Sequence, residues 1–143
     1  MADKPVIFNE AQKRLLAKTT PQKFIRQRQG PGGCHLSYIQ AGYVIDQLNE
    51  LTCWKWSFDI LDQQIGKSQI WVKGKLTIPT KNNGGEIVKT QFGGKTIVKD
   101  KKTGNALDIG NDLKAAASDA LKKCASLIGI AQDVYWPDGN GEA

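Results

Sequence analysis

Residues 111–129 read NDLKAAASDALKKCASLIG, the most strongly periodic stretch of the chain, and the fold is decided there. Leu113, Ala116, Ala117, Ala120, Leu121, Cys124, Leu127 and Ile128 recur at spacings of three and four, which gathers them into one apolar stripe of a helix. Alanine supplies five of the nineteen residues, so the stripe is thin and the helix backbone can lie close to its cover, for which a β-sheet is the natural partner. Asn111 or Asp112 is placed to cap the first turn, Gly129 to end the last, and Asp119 to pair with Lys123 one turn on. The opposite face carries Lys114, Ser118 and Lys122 at i, i+4 and i+8, with Lys123 beside them. Taken alone, such a row is a solvated charged face.

Working outward, the segments before this helix alternate with period two. Trp54, Trp56, Phe58 and Ile60 alternate with polar residues, as do Ile70, Val72, Leu76 and Ile78 with Trp71, Lys73, Lys75 and Thr77. A third strand is expected over 86–92, with 63–69 and 81–85 as the connections and Gly93-Gly94 as the start of a basic loop holding Lys95, Lys99, Lys101 and Lys102. Upstream, 39–51 has helical spacing through Tyr43, Val44, Ile45 and Leu48. A short helix is expected over 8–18 with Asn9 as its cap, and Gly30-Pro31-Gly32-Gly33 turns two short strands into a hairpin with Arg26 and Arg28 near its tip. The reading is therefore an α+β fold: a three-stranded antiparallel β-meander covered by a long C-terminal helix, preceded by an N-terminal helix and a β-hairpin arm. The 143 residues suit a single domain, 1–143, with 1–7 and 137–143 expected to be flexible.

Composition narrows the function. Twenty Lys and Arg against fourteen Asp and Glu give a net charge of +6, which favours a polyanionic partner. No apolar run approaches the ~20 residues of a membrane span, and no leader opens the chain, so a cytoplasmic protein is expected, with no membrane partner. Cys34, Cys53 and Cys124 form no CxxC and are expected to be reduced and mostly buried, and His35 is the lone histidine; neither suggests a metal site or a disulfide framework. The carboxylates are scattered rather than paired, and Gly30-Pro31-Gly32-Gly33 lacks the lysine of a phosphate loop. Binding without catalysis, cofactor or ATP is the better class. Arginines at a glycine-rich turn, lysines beside Trp71 and the Lys122-Lys123 pair together point to nucleic acid. The order helix, three strands, helix is also that of a double-stranded-RNA-binding module, which is the alternative; a nuclease has little support.

Two separated matches then carry a resemblance. Lys114 to Ala125, closing at Gly129, resembles the KEAVTDGLKRALRSFG helix of the Rad-fifty-two-type single-strand annealing proteins. Phe24 to Arg28, the glycine turn and Leu36-Ser37-Tyr38-Ile39 resemble that family's YISSRMAGGGQKVCYI stretch without a gap, and Asp119 to Ala125 is similar to the bacterial DdrA-type relatives. The resemblance spans roughly Lys13 to Ile130. It implies a DNA-recombination and repair protein of a phage or a bacterium, acting in a bacterial cell or infected host. Such a protein forms an oligomeric ring or helical filament, holds single-stranded DNA by its backbone in a basic groove, and pairs it with a complementary strand. By position it places Arg28, Lys122 and Lys123 in an inner groove, where lysine replaces the family's arginine at the last of these and removes a bidentate contact. Outer-site lysines fall near Lys81 and near Lys101 or Lys102. With Arg26, Lys114, Lys73 and Lys75 from the charge pattern, these are the expected DNA-binding residues. The chain ends soon after the fold, so recruitment of a recombinase is not expected.

Overall fold

The computed structural model describes residues 6–80 and 84–137. Helix α1 spans Glu10–Ala17 and is closed at its start by a capping box: the Asn9 side chain accepts from the Gln12 N–H at 2.8 Å, and the Gln12 side chain accepts from the Asn9 N–H at 2.8 Å. Strands β1 (Ile25–Gln29) and β2 (His35–Ile39) form the expected hairpin, pairing Arg26 with Tyr38 and Arg28 with Leu36 around a 3₁₀ turn at Pro31–Gly33. Helix α2 (Ala41–Thr52) follows, then β3 (Ser57–Ile65), β4 (Gln69–Pro79) and β5 (Glu86–Thr96) as an antiparallel meander in the order β3-β4-β5. Helix α3 (Ile109–Ser126) and the short α4 (Gln132–Tyr135) complete the chain.

The alternation in β4 is realised residue by residue. Ile70, Val72, Gly74, Leu76 and Ile78 are buried towards α3, and Trp71, Lys73, Lys75 and Thr77 lie on the other face. Helix α3 lies across β4 and β5. Its Ala116 and Ala120 meet Ile70, Val72 and Ile97, while Leu121, Cys124 and Ala125 join Leu76, Ile78 and the α2 residues Val44, Leu48 and Leu51. The thin alanine stripe permits this contact, and glycine completes it. A Cβ on Gly93, which pairs with Val72, would come within 2.7 Å of the Ala120 Cα and 2.5 Å of the Ala116 carbonyl oxygen.

Several boundaries differ from the sequence reading. Gly93 and Gly94 lie inside β5, which runs to Thr96; at Gly93 the close approach of α3 requires a residue without a side chain. Strand β3 continues to Ile65, and the connection to β4 shrinks to a turn closed by the Gly66 N–H on the Gln69 carbonyl at 2.8 Å. Trp54 does not face the apolar side of a strand: Cys53 and Trp54 both have left-handed backbone (φ 52° and 65°) and end α2, leaving Trp54 75% exposed. Trp56 is half-buried, its indole N–H donating to the Asn49 side chain at 2.7 Å. The α3 cap is Asp108, whose carboxylate accepts from the Asn111 N–H at 3.0 Å, rather than Asn111 or Asp112. Asp112 is instead buried and accepts from the Val98 N–H at 3.1 Å, pinning the β5–α3 connection to the helix. Of the three thiols only Cys124 is buried; Cys34 sits by the hairpin turn and Cys53 at the α2 end, and both are exposed.

Candidate nucleic-acid interface

The end of β2 is held from two sides. The Ile39 N–H donates to the Tyr135 hydroxyl at 3.3 Å, and the Lys122 ammonium donates to the Ile39 carbonyl at 3.0 Å. Asp133 fixes the other end of this region by accepting from the Thr20 N–H at 3.0 Å and the Thr20 hydroxyl at 2.7 Å. These ties stand the hairpin away from the sheet and leave a cleft of about 1340 Å³ between them. Its walls are the hairpin, the ends of β4 and β5, one face of α3 and the segment at Tyr135.

Among the described residues four cations line it: Arg28, Lys95, Lys122 and Lys123. Lys122 is only half-exposed and its ammonium stands 5.5 Å from the centre of the Tyr38 ring, while Lys123 stands 4.9 Å from that of Tyr135. Burial lowers the pKa of Lys122 from its usual 10.5; Asp119 opposes this, and the like charges of Lys123 and Arg28 reinforce it. Tyr135 is pushed up to about 12, chiefly by burial, and so remains a neutral phenol. Among the described residues the counter-charge in the cleft is Asp119 and Asp133. Asp119 pairs with Lys123 at 3.1 Å, as its i, i+4 spacing predicted, and also accepts from the Gly94 N–H at 3.0 Å, which ties α3 to β5. An ammonium that is half-buried among like charges, with one of its three protons engaged, is a ready donor to an incoming anion such as a phosphate oxygen.

The structure brings Arg28, Lys122 and Lys123 together and disperses the other expected residues. Arg26 lies at the base of the hairpin, its guanidinium donating to the Lys23 carbonyl at 2.7 Å. Lys114 is exposed two turns before Lys122 on α3, and Lys101 and Lys102 sit in the turn before α3, where Asp100 accepts from the Lys102 N–H at 2.7 Å. Lys73 and Lys75 occupy the outer face of the sheet. Lys81 lies outside the described residues. Sequence reasoning missed Tyr38, Lys95 and Tyr135. Tyr38 was within reach, since a hairpin centred on the glycine turn sets it opposite Arg26. Tyr135 carried no signal, because it enters only through the turn at Ala131, which has left-handed backbone (φ 55°).

Among the described residues no helix is long and apolar enough to cross a membrane. Comparison with curated proteins returns no match. Comparison with protein-family models matches residues 8–135 to the family described as Rad52/22 family double-strand break repair protein. That span holds the hairpin, the meander, α3 and Tyr135, and so the described cleft lining except Pro137. The chain accordingly belongs to the Rad52/22 family of double-strand break repair proteins, with the role in DNA repair and recombination that membership carries.

Proposed function

We propose that the protein binds single-stranded DNA by its backbone in this cleft and anneals it to a complementary strand, without ATP or catalysis. The observation that carries this reading is the convergence of Lys122, Lys123 and Arg28 on one half-buried point. Phosphate relieves that convergence, and contact with phosphate leaves pairing edges free. Duplex RNA is the weaker reading, because recognition across its wide minor groove needs an open surface rather than a cleft roofed by a hairpin.

The active particle is proposed to be an oligomer, a ring or an open helix. Ile60 and Ile65 pair with Gly74 and Ile70, so they point to the same side as the core, yet they stay 47% and 48% exposed beyond the edge of α3. A neighbouring copy would cover them, and among the described residues β3 and β5 remain as unpaired edges. Light scattering that found only a 15.7 kDa monomer, with and without DNA, would remove the oligomer.

Annealing is tested by fluorescence quenching between complementary labelled strands in the absence of ATP. Pairing should be faster with protein than without and show little sequence preference. A protein that binds both strands tightly yet slows their pairing at every protein-to-DNA ratio is a strand protector, and the annealing reading then fails.

A further inference from the structure

The cleft does not end at the edge of the sheet. Trp71 and Gly94, paired across β4 and β5, line its floor, and both belong to the outer face of the sheet. On the same face the next pair is Lys73 with Phe92, and the one after it Lys75 with Thr90. Phe92 is 54% exposed. Trp71 meets it edge to face, with ring centres 5.6 Å apart and planes at 77°, and the Lys73 ammonium stands 6.0 Å from its centre. Gly94 presents no side chain between this pair and the cleft, so the route from Lys95 to Phe92 is unobstructed by a side chain at that position.

An exposed aromatic ring braced by a second ring and flanked by cations offers two kinds of contact. Its π-face takes a flat apolar partner, and the ammonium beside it takes a negative charge. A nucleotide of a single strand supplies both at once. A protein partner covering this face would have to bury Lys73 and Lys75 together with Asp62 and Asp59, which stand opposite them on β3. Among the described residues neither lysine has a carboxylate within 4.0 Å, so both cations remain available. The two aspartates lie on the far side of β4 from Phe92 and repel a polyanion from β3, which steers it along β5.

We propose that the outer face of the sheet is a base-stacking station for the strand that leaves the cleft: Phe92, braced by Trp71, receives one nucleobase, and Lys73 receives the adjoining phosphate. The inference rests on the reading that the cleft holds a single strand. It adds a contact of different chemistry, one that reads the presence of a base but not its identity, because every base has a π-face. A single station of this kind holds the exit of the strand in place while leaving most bases free to pair.

The test compares binding of two single strands of equal length and charge, one with ordinary bases and one abasic throughout, at fixed salt and over a salt series. Phe92→Ala should weaken binding of the ordinary strand by about tenfold, within the range supplied by stacking one base. It should leave the abasic strand unaffected and the salt dependence unchanged, since no phosphate contact is removed. Phe92→Leu, which keeps apolar contact with Trp71, should match the alanine variant, and Phe92→Trp should retain binding. Equal losses on both strands, no loss on the ordinary strand, or a changed particle mass in Phe92→Ala would overturn the proposal, the last by making the patch a contact between copies. Failure of the cleft reading is separately visible: Lys122→Ala with Lys123→Ala would then leave binding of the abasic strand unchanged.

Discussion

Replacing Gly93 by alanine adds one methyl group where α3 touches β5. In the present geometry that carbon would lie 2.7 Å from the Ala120 Cα, 2.5 Å from the Ala116 carbonyl oxygen and closer still to the Ala120 amide nitrogen. Contacts below 3.0 Å do not occur at real Cβ atoms, and these neighbours are backbone, which no rotamer change can move aside. Relief requires α3 to lift by roughly 1 Å, measured against the ordinary 3.5–4.0 Å carbon separation. A gap of that size forfeits a quarter to a half of the dispersion energy across the layer that Ala116, Ala120, Leu121 and Cys124 form with the sheet. The expected cost is about 3 kcal/mol, at the upper end for overpacking, since the obstruction is rigid. For a domain of this size that lowers Tm by roughly 10 °C. Gly94→Ala is the control, as its Cβ would face away from α3, with the nearest atom, the Ile70 carbonyl oxygen, at 3.6 Å. Circular dichroism melts of both variants at equal protein concentration check this, with urea titration giving the free energies. A Gly93→Ala variant that melts within 2 °C of the Gly94→Ala variant would refute the reasoning and the seating of α3 on β5 with it.

The other expected outcomes concern the cleft. Lys122→Ala with Lys123→Ala should weaken single-strand binding and flatten the plot of log affinity against log salt by about 1.4, or roughly 0.7 for each lost phosphate contact; because Lys122 also holds the Ile39 carbonyl, a melt of the same variant reports the loss of that tie separately, and an unchanged slope removes both lysines from the phosphate contacts. Because burial holds the Lys122 pKa below 10.5 and bound phosphate favours the protonated form, affinity should fall as pH rises through that lowered value. Lys122→Arg, charged throughout, should hold its affinity over the same range in a pH series of anisotropy titrations. Asp119→Asn keeps an acceptor for the Gly94 N–H but removes the negative charge paired with Lys123. Binding should tighten several-fold at low salt and converge on the parent at high salt, and weaker binding at low salt would contradict the assignment of Lys123 to phosphate.

Much of the fold was legible because each element satisfies its own periodicity. The α3 stripe, the alternation of β4 and the cap at Asn9 are local statements, settled by residues three or four apart or two apart. Turn chemistry at Gly30 to Gly33 likewise fixed the hairpin and, with it, the proximity of Arg28 to the tip. Errors arose where a residue answered to a distant neighbour. Gly93 and Gly94 read as a loop because glycine breaks strands on average, yet at Gly93 the glycine serves the approach of a helix whose contacting residues lie more than twenty positions away. Trp54 read as a core residue because alternation was extended one turn too far, through a chain reversal that two left-handed residues make without glycine.

The sequence by itself determined the element order, the basic character and the family resemblance, since charge, period and motif are properties of neighbours along the chain. Tertiary structure decided the cleft. Arg28, Lys95, Lys122 and Tyr135 are separated in turn by 67, 27 and 13 positions, and only the docking of Ile39 between Tyr135 and Lys122 brings them to one place. It also changed what Lys122 is: a lysine on the polar face of an isolated helix is a solvated charge. Covered by the hairpin, the same ammonium loses water, meets two like charges and becomes a donor awaiting an anion, because desolvation and Coulomb terms depend on distance in space and not along the chain.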